Sequence, residues 1–283
     1  MTLLRRLIRT LDRPGGRTIL ATLATSYARK KIGWDVRILY DAAWLHGLNG
    51  DYVVDSDRFD YYTATILSWR KAYLDIFAGA RDYWCHLYSP QPGDVIVDVG
   101  AGVGWDTMAF SRAVGERGQV LAVEAHPTTF RLLQAQCKWA RLANVRACQV
   151  AVMDGRCAVY IDDFLDHEGN SVSPEAGAGR RLGNVPGISM DELCAAEGIV
   201  RIDLLKMNIE GAERFAIHGM KETIRHTRHI CIACHDFRSD KGGSFSTKAL
   251  VVDYLRGHGF EITVRAQDLR PYVRDHVHGV RRR

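Results

Sequence analysis

Val95-Ile96-Val97-Asp98-Val99-Gly100-Ala101-Gly102-Val103-Gly104 decides how this chain folds. Five residues rich in β-branched side chains, bounded by Gly93-Asp94 and by glycines, predict a buried strand. The three alternate glycines let the backbone turn sharply and approach a ligand with no Cβ in the way. A helix follows from Gly104 to Val114, and its first turn offers free N–H groups at the end of that loop. Twenty residues beyond Gly104, Glu124 closes a second strand, Val120-Leu121-Ala122-Val123. A carboxylate there can accept hydrogen bonds from both hydroxyls of a ribose. Dinucleotide sites favour G-x-G-x-x-G, whose third glycine would fall on Trp105; the spacing here is G-x-G-x-G.

Outward from this turn, short apolar runs alternate with amphipathic helical stretches, the pattern of βαβ units. Pro127 opens the next helix, whose Phe130, Leu133, Cys137 and Ala140 recur at intervals of three and four. Val145 to Val152 forms a third strand, Asp203 to Met207 a fourth and His229 to Ala233 a fifth, with a helix over Ala212 to Ile224 before the last. Ser189 and Glu192 make a capping box at a helix start. The helix Lys248 to Arg256, ended by Gly257 and Gly259, and the strand Phe260 to Val264 complete the pattern. These elements predict an α/β fold with a doubly wound, Rossmann-like, mostly parallel sheet. Asp162 to Gly187, with Pro174, Pro186 and several glycines, reads as a long loop. Residues 1–89 carry aromatic clusters (Tyr61, Tyr62, Trp69, Tyr73) and helical periodicity without a glycine signature. They are expected to be a helical N-terminal region, serving as a lid or oligomerisation element. Ser89-Pro90-Gln91-Pro92-Gly93 marks the boundary to a ligand-binding domain over residues 90–283.

Composition narrows the class. With 283 residues, 47% hydrophobic and 25% charged, the chain can bury a sizeable core. No stretch free of Asp, Glu, Lys and Arg exceeds 11 residues, which excludes a spanning helix of about 20 apolar residues. No secretory signal is evident, and seven cysteines, an odd number, suit reduced thiols in a cytoplasmic chain. The net charge of +5 is uneven: residues 1–31 hold +7, leaving the remainder near −2. A nucleic-acid enzyme more often spreads basic charge around its cleft, so no nucleic-acid partner is expected. Leu3, Leu7 and Leu11, with Leu4 and Ile8, form an apolar stripe beside Arg5, Arg6, Arg9 and Arg13. Such a helix either packs over its own domain, embraces a second subunit in a homo-oligomer, or lies on an anionic membrane as a peripheral contact.

The shorter glycine spacing, with Asp98 two residues before the first glycine, resembles motif I of class I S-adenosylmethionine (SAM) methyltransferases. Asp203-Leu204-Leu205-Lys206-Met207-Asn208-Ile209-Glu210-Gly211-Ala212-Glu213 resembles the fourth-strand motif of the FkbM-type methyltransferase family. Further matches are Ala151-Val152-Met153-Asp154, Ser189-Met190-Asp191-Glu192-Leu193 and His235 at the end of the fifth strand. The resemblance covers roughly Tyr83 to Val264. It implies SAM as cofactor, with Asp98, Gly100, Gly102, Gly104, Glu124, Ala125, Met153 and Asp154 binding it. It also implies O-methylation of a small-molecule hydroxylated acceptor: a sugar, a glycosylated or a polyketide-like metabolite. The chain departs from the family at Asn208, usually aspartate, and at Ala233, often glutamate. A neutral amide neither takes a proton near pH 7 nor binds a hard cation as tightly, so Asn208 is left to hold the cofactor's amino group or the substrate.

Methyl transfer to an alcohol is an in-line displacement in which the nucleophile loses a proton. The catalytic set read here is His235 as base, Glu210 orienting it or the substrate, and Asn208, all at strand carboxyl ends where ligands of such sheets bind. Two other functions stay open: a nicotinamide-dependent oxidoreductase, which Trp105 disfavours, and a SAM-binding protein impaired in catalysis, which Asn208 suggests. Cys231-Ile232-Ala233-Cys234-His235 matches a haem-attachment pattern, but the segment reads as a buried strand. No metal set is assigned, since no second C-x-x-C or H-x-x-x-H accompanies the cysteine pair and His276 and His278 stand close together on an extended segment.

Overall fold

A computed structural model describes residues 3–33, 35–48, 50–54, 56–59, 69–162, 172–173, 181–241 and 246–281. Tyr61, Tyr62 and most of the interval 163–180 lie outside the described residues.

The chain begins with α1 (Leu3–Leu11) and α2 (Arg17–Ile32), followed by β1 (Val36–Asp41), β2 (Ala43–Leu48), β3 (Asp51–Val54) and α3 (Trp69–Gly79). The helical reading of residues 1–89 therefore omits an antiparallel meander, β1-β2-β3. Its tight reversals at Ala42 and Gly50 both adopt positive φ. The alternation Val36, Ile38 and then the buried run Ala43-Trp44-Leu45 pack it inward, which helical periodicity in the flanking segments concealed. On α1, Ile8 is buried against α2 and the meander, while Leu7 faces outward.

After a π-helical turn at Ala80–Trp84 come β4 (Val95–Val99), α4 (Trp105–Val114), β5 (Gln119–Val123), α5 (Pro127–Trp139) and β6 (Val145–Cys148). Next are β7 (Ala151–Met153), β8 (Cys157–Asp162), β9 (Val172–Ser173), β10 (Arg181–Ser189) and α6 (Met190–Ala196). The last group is β11 (Ile202–Met207), α7 (Glu213–Ala216), β12 (Thr227–Ala233), α8 (Lys248–Gly257), β13 (Phe260–Val264), α9 (Pro271–Arg274) and β14 (His276–Arg281).

Seven strands form one sheet in the order β13-β14-β12-β11-β4-β5-β6. The run β6-β5-β4-β11-β12 is parallel, and β14 is antiparallel to both neighbours. The Rossmann-like class is thus observed, with the strand order reversing direction at β4. The main core fills one face with Val97, Leu121, Leu205, Met207 and Ile232 from the sheet against α6, α8 and the segment after β11. The meander shares apolar contacts with α4 and α5: Trp44, Met108 and Leu142 lie in one cluster, Leu45, Val54 and Leu132 in another. The Gln136 amide ties the two parts together, accepting from Val54 N–H at 2.7 Å and donating to the Tyr52 carbonyl at 2.9 Å.

Three local expectations change. The stretch Val145 to Val152 divides, with β6 in the large sheet and β7 in a second sheet of order β7-β10-β8-β9. Within the expected loop, Arg181–Gly187 is strand, paired antiparallel with β8. Its glycine and proline suit the strand: a Cβ at Gly187 would stand 2.6 Å from Cys157 Sγ, and Pro186 pairs with Ala158 in register. The helix expected over Ala212 to Ile224 is only α7 and two short 3₁₀ turns. There the Asp191 carboxylate takes the N–H groups of Lys221, Glu222 and Thr223, competing with the intrahelical pattern. Pro127 at the start of α5 and the Ser189–Glu192 capping box are as expected.

The glycine loop separates a packing need from a binding need. Gly100 has φ 73°, and a Cβ there would lie 1.9 Å from the Asn208 carbonyl oxygen. Gly102 has φ 58° with nothing within 4 Å of its Cβ position. Gly102→Ala is expected to cost only the left-handed penalty of about 1–2 kcal/mol. Gly100→Ala will cost more, because backbone must move. Urea unfolding of the two variants checks the order.

Candidate functional site

The carboxyl ends of β4, β5, β11 and β12 open into one cleft of about 1040 Å³. Of the residues expected from the sequence, Gly100, Gly102, Glu124, Ala125, Asn208, Glu210 and His235 line it. Asp98, Gly104, Met153 and Asp154 do not. Gly104 caps α4 in a left-handed conformation, where a Cβ would meet Leu133 at 2.7 Å. Met153 is buried in a small apolar cluster, and Asp154 is exposed.

Asp98 lies beneath the loop with no solvent access. Its carboxylate accepts from the Thr107 hydroxyl at 2.6 Å and pairs with the Lys206 ammonium at 2.8 Å. Lys206 Nζ also donates to the Gly100 carbonyl at 2.8 Å, so one cation fixes both the end of β4 and the first glycine. Burial opposes the charge on Lys206, but the Asp98 and Asp106 carboxylates outweigh it and hold its pKa above the ordinary lysine value. The Trp84 ring covers this ammonium at 5.0 Å, and Trp84 Nε1 donates to Asp106 at 2.8 Å. Burial lifts Asp106 to about 6, the charge of Asp98 adding to the shift. Lys206, Trp84 and Asp106 escaped the sequence reading. Lys206 stands within β11, a strand buried over its whole length, and Trp84 comes from a segment with no motif.

Glu124 follows β5 and turns back over the glycine loop. Its two carboxylate oxygens accept from Gly102 N–H at 2.9 Å and His126 N–H at 2.8 Å. Burial lifts its pKa to about 7, against the pull of those two backbone donors. A carboxylate offers about four acceptor positions, so capacity remains for hydroxyl donors.

Across the cleft, Glu210 adopts φ 53°, a left-handed conformation that a side-chain-bearing residue enters at a cost of roughly 1–3 kcal/mol. This turn aims its carboxylate at His235 Nε2, 3.1 Å away, and at Arg238 Nη1, which donates a short hydrogen bond to it. The other face of the ring meets Glu213 at 3.5 Å from Nδ1. Glu213 is fully buried and accepts from Ile209 N–H at 3.2 Å. Burial works against a charged imidazole, yet hydrogen bonds to Glu210 and Glu213 outweigh it and lift His235 to about 9. The ring is therefore protonated at pH 7, which the expectation of a free base did not include. Asn208 lies beside this set, its Oδ1 buried without a hydrogen-bond partner among the described residues.

The strand order, the glycine turn and the acid after β5 define the class I methyltransferase architecture. Residues 98–262 match the Methyltransferase FkbM domain, and the chain belongs to this family. It is similar to the 31-O-demethyl-FK506 methyltransferase FkbM of Streptomyces tacrolimicus, with 28% identity over 230 residues covering 70% of this chain and 84% of the relative. The 2-O-methyltransferase NoeI of Sinorhizobium fredii is 28% identical over 160 residues, covering 50% and 63%. Among solved structures, the fibrillarin of Aeropyrum pernix with natively bound S-adenosyl-L-methionine gives a TM-score of 0.42 at 16% identity, covering 72% of this chain and 75% of that one.

Breaking the Lys206–Asp98 pair leaves a buried carboxylate uncompensated, at a cost of about 3–5 kcal/mol. Lys206→Met is expected to destabilise by that amount, and adding Asp98→Asn should recover part of it. Denaturant titration of the single and double variants measures both.

Proposed function

We propose that this chain is a SAM-dependent O-methyltransferase acting on a hydroxyl of a sugar, glycosylated or polyketide-like metabolite. The observation that carries the reading is Asn208. Its Oδ1 is a buried acceptor without a partner among the described residues, in a cleft that also holds the glycine loop and Glu124. SAM carries donors for both ends: an ammonium suited to Asn208, and ribose hydroxyls suited to Glu124. The open face of Gly102 leaves room for a ligand against the backbone. When bound, SAM would supply an electrophilic methyl group on a sulfonium.

The chain's own work is to position the acceptor and receive its proton. Glu210 and Glu213 flank the two ring nitrogens of His235, so the three side chains form one connected set. With its proton in place, His235 is held by the two flanking carboxylates and has no free lone pair to act as a base. Once that proton leaves, His235 Nε2 and the Glu210 carboxylate together can take up the proton of an acceptor hydroxyl in the cleft. Arg238 fixes Glu210 from the other side. The acceptor class draws on what the relatives are named for.

Calorimetry with SAM, its demethylated product, NADH and NADPH tests the cofactor. Micromolar binding of the sulfonium pair, lost in Glu124→Ala and absent for nicotinamides, is expected; the reverse would end this reading.

The proton-transfer set makes a separate prediction for turnover. The deprotonated form is needed, so kcat/KM should rise with pH through about 9. Glu210→Gln removes a group that raises the His235 pKa, so the rise should move to lower pH. His235→Ala should lower kcat by about 10²–10⁴-fold with SAM affinity nearly unchanged. A profile flat from pH 7 to 10 would remove the set from the mechanism.

A further inference from the structure

On the face of the sheet opposite the main core, Cys231 of β12 pairs in register with His278 of β14, and Ala233 pairs with His276. Side chains two apart on a strand share a face, so the spacing that seemed too close on an extended segment places both imidazoles beside one thiol. One donor atom from each of Cys231, His276 and His278 lies within 4.8 Å of the others, and all three residues are buried. No other such group occurs among the described residues.

We infer that Cys231, His276 and His278 form a binding site for a divalent cation of the zinc class. A borderline-soft N₂S donor set suits zinc, and three protein ligands with a further position open are a recurrent zinc arrangement. Metal–donor bonds of about 2.0–2.3 Å require donors roughly 3.3–3.8 Å apart in a tetrahedron, which side-chain rotation reaches from the observed spacing.

A second observation points to a ligand at this place. His278 is 2% exposed, and its Nε2 has no hydrogen-bond partner among the described residues. Cys231 Sγ and His276 Nδ1 share one carbonyl, that of Tyr83, at 3.6 and 3.4 Å. These long contacts satisfy the pair weakly. Both rings are buried, and a neutral imidazole nitrogen is the usual histidine donor to such a cation. A bound cation would form the sulfur–metal bond as the Cys231 thiol proton passes to solvent.

The nearby cations do not forbid an ion. Arg265 is paired with Asp82 and Asp268, and Lys206 with Asp98. His276 stacks on Trp84 with ring centroids 4.6 Å apart and lines the cleft, so an ion here would pin β14 to β12 beside the cleft wall.

Cobalt(II) titration of the chelator-treated full chain tests the site. Expected is one equivalent bound, with sulfur-to-cobalt charge-transfer absorption in the near ultraviolet that zinc displaces. Cys231→Ser should abolish that absorption, and His278→Gln should weaken binding at least tenfold. Cys234→Ser, whose sulfur belongs to the opposite core, should leave both unchanged. Absence of saturable binding in the wild-type chain would overturn the assignment. Charge-transfer absorption that survives Cys231→Ser, or that vanishes in Cys234→Ser, would overturn it equally. If Cys231→Ser does not fold, the wild-type titration and His278→Gln decide. None of these readouts requires SAM or an acceptor.

Discussion

The cleft is organised around one lysine that has no access to water. Lys206 Nζ reaches the Asp98 carboxylate and the Gly100 carbonyl, each at 2.8 Å, from the strand next to theirs. Taking both charges out of water is costly, and such a pair persists only where further hydrogen bonds complete it. Thr107 supplies one of these from the first turns of α4. The result locks β4, β11 and the following helix at the point where the strand order reverses, which is where open α/β sheets bind ligands. Gly100 can then pass beneath the Asn208 carbonyl, which only a residue without a Cβ allows.

The far wall of the same cleft repeats this electrostatic pattern. Beneath the glycine loop one cation meets two carboxylates; at the far wall an imidazole is enclosed by two more, with Arg238 behind the first. A protonated His235 offers order before it offers basicity. Glu210 bears backbone strain to stand there, and Gly211 continues the turn with φ 96°. Strain at a cleft residue persists where surrounding contacts over-determine it, and Arg238 and His235 do so here.

Much of this was legible in the sequence because it rests on local signals. The strand before Gly100, Pro127 and the Ser189–Glu192 box each act within a few residues, and Glu124 lies only one helix and one strand beyond the glycine loop. Gly100, Gly102 and Glu124 line the cleft, while Asp98 pairs with Lys206 beneath the loop and Gly104 caps α4. The meander at residues 36–54 was hidden by the helical periodicity of the segments around it, and strand β10 because its glycine and proline read as loop while its partner β8 lies earlier in the chain. The set at His235 was visible only in part. Glu213 stood in the same motif as Glu210 without an assigned role, and only the fold brings it against the other ring nitrogen. Trp84, Lys206 and Asp106 meet only through the fold.

Strand β14 has a consequence for how the molecule is made. It lies between β12 and β13, antiparallel to both, and Arg281 reaches back to the carbonyls of Ile224 and Thr227. During synthesis β12 can dock on β11 while residues 276–281 are still inside the ribosome. Until they emerge, β12 is an open edge carrying unpaired backbone groups and a buried-type thiol, the kind of surface that invites pairing with another chain. The nascent protein is therefore most exposed to aggregation in the interval between the emergence of β12 and that of β14.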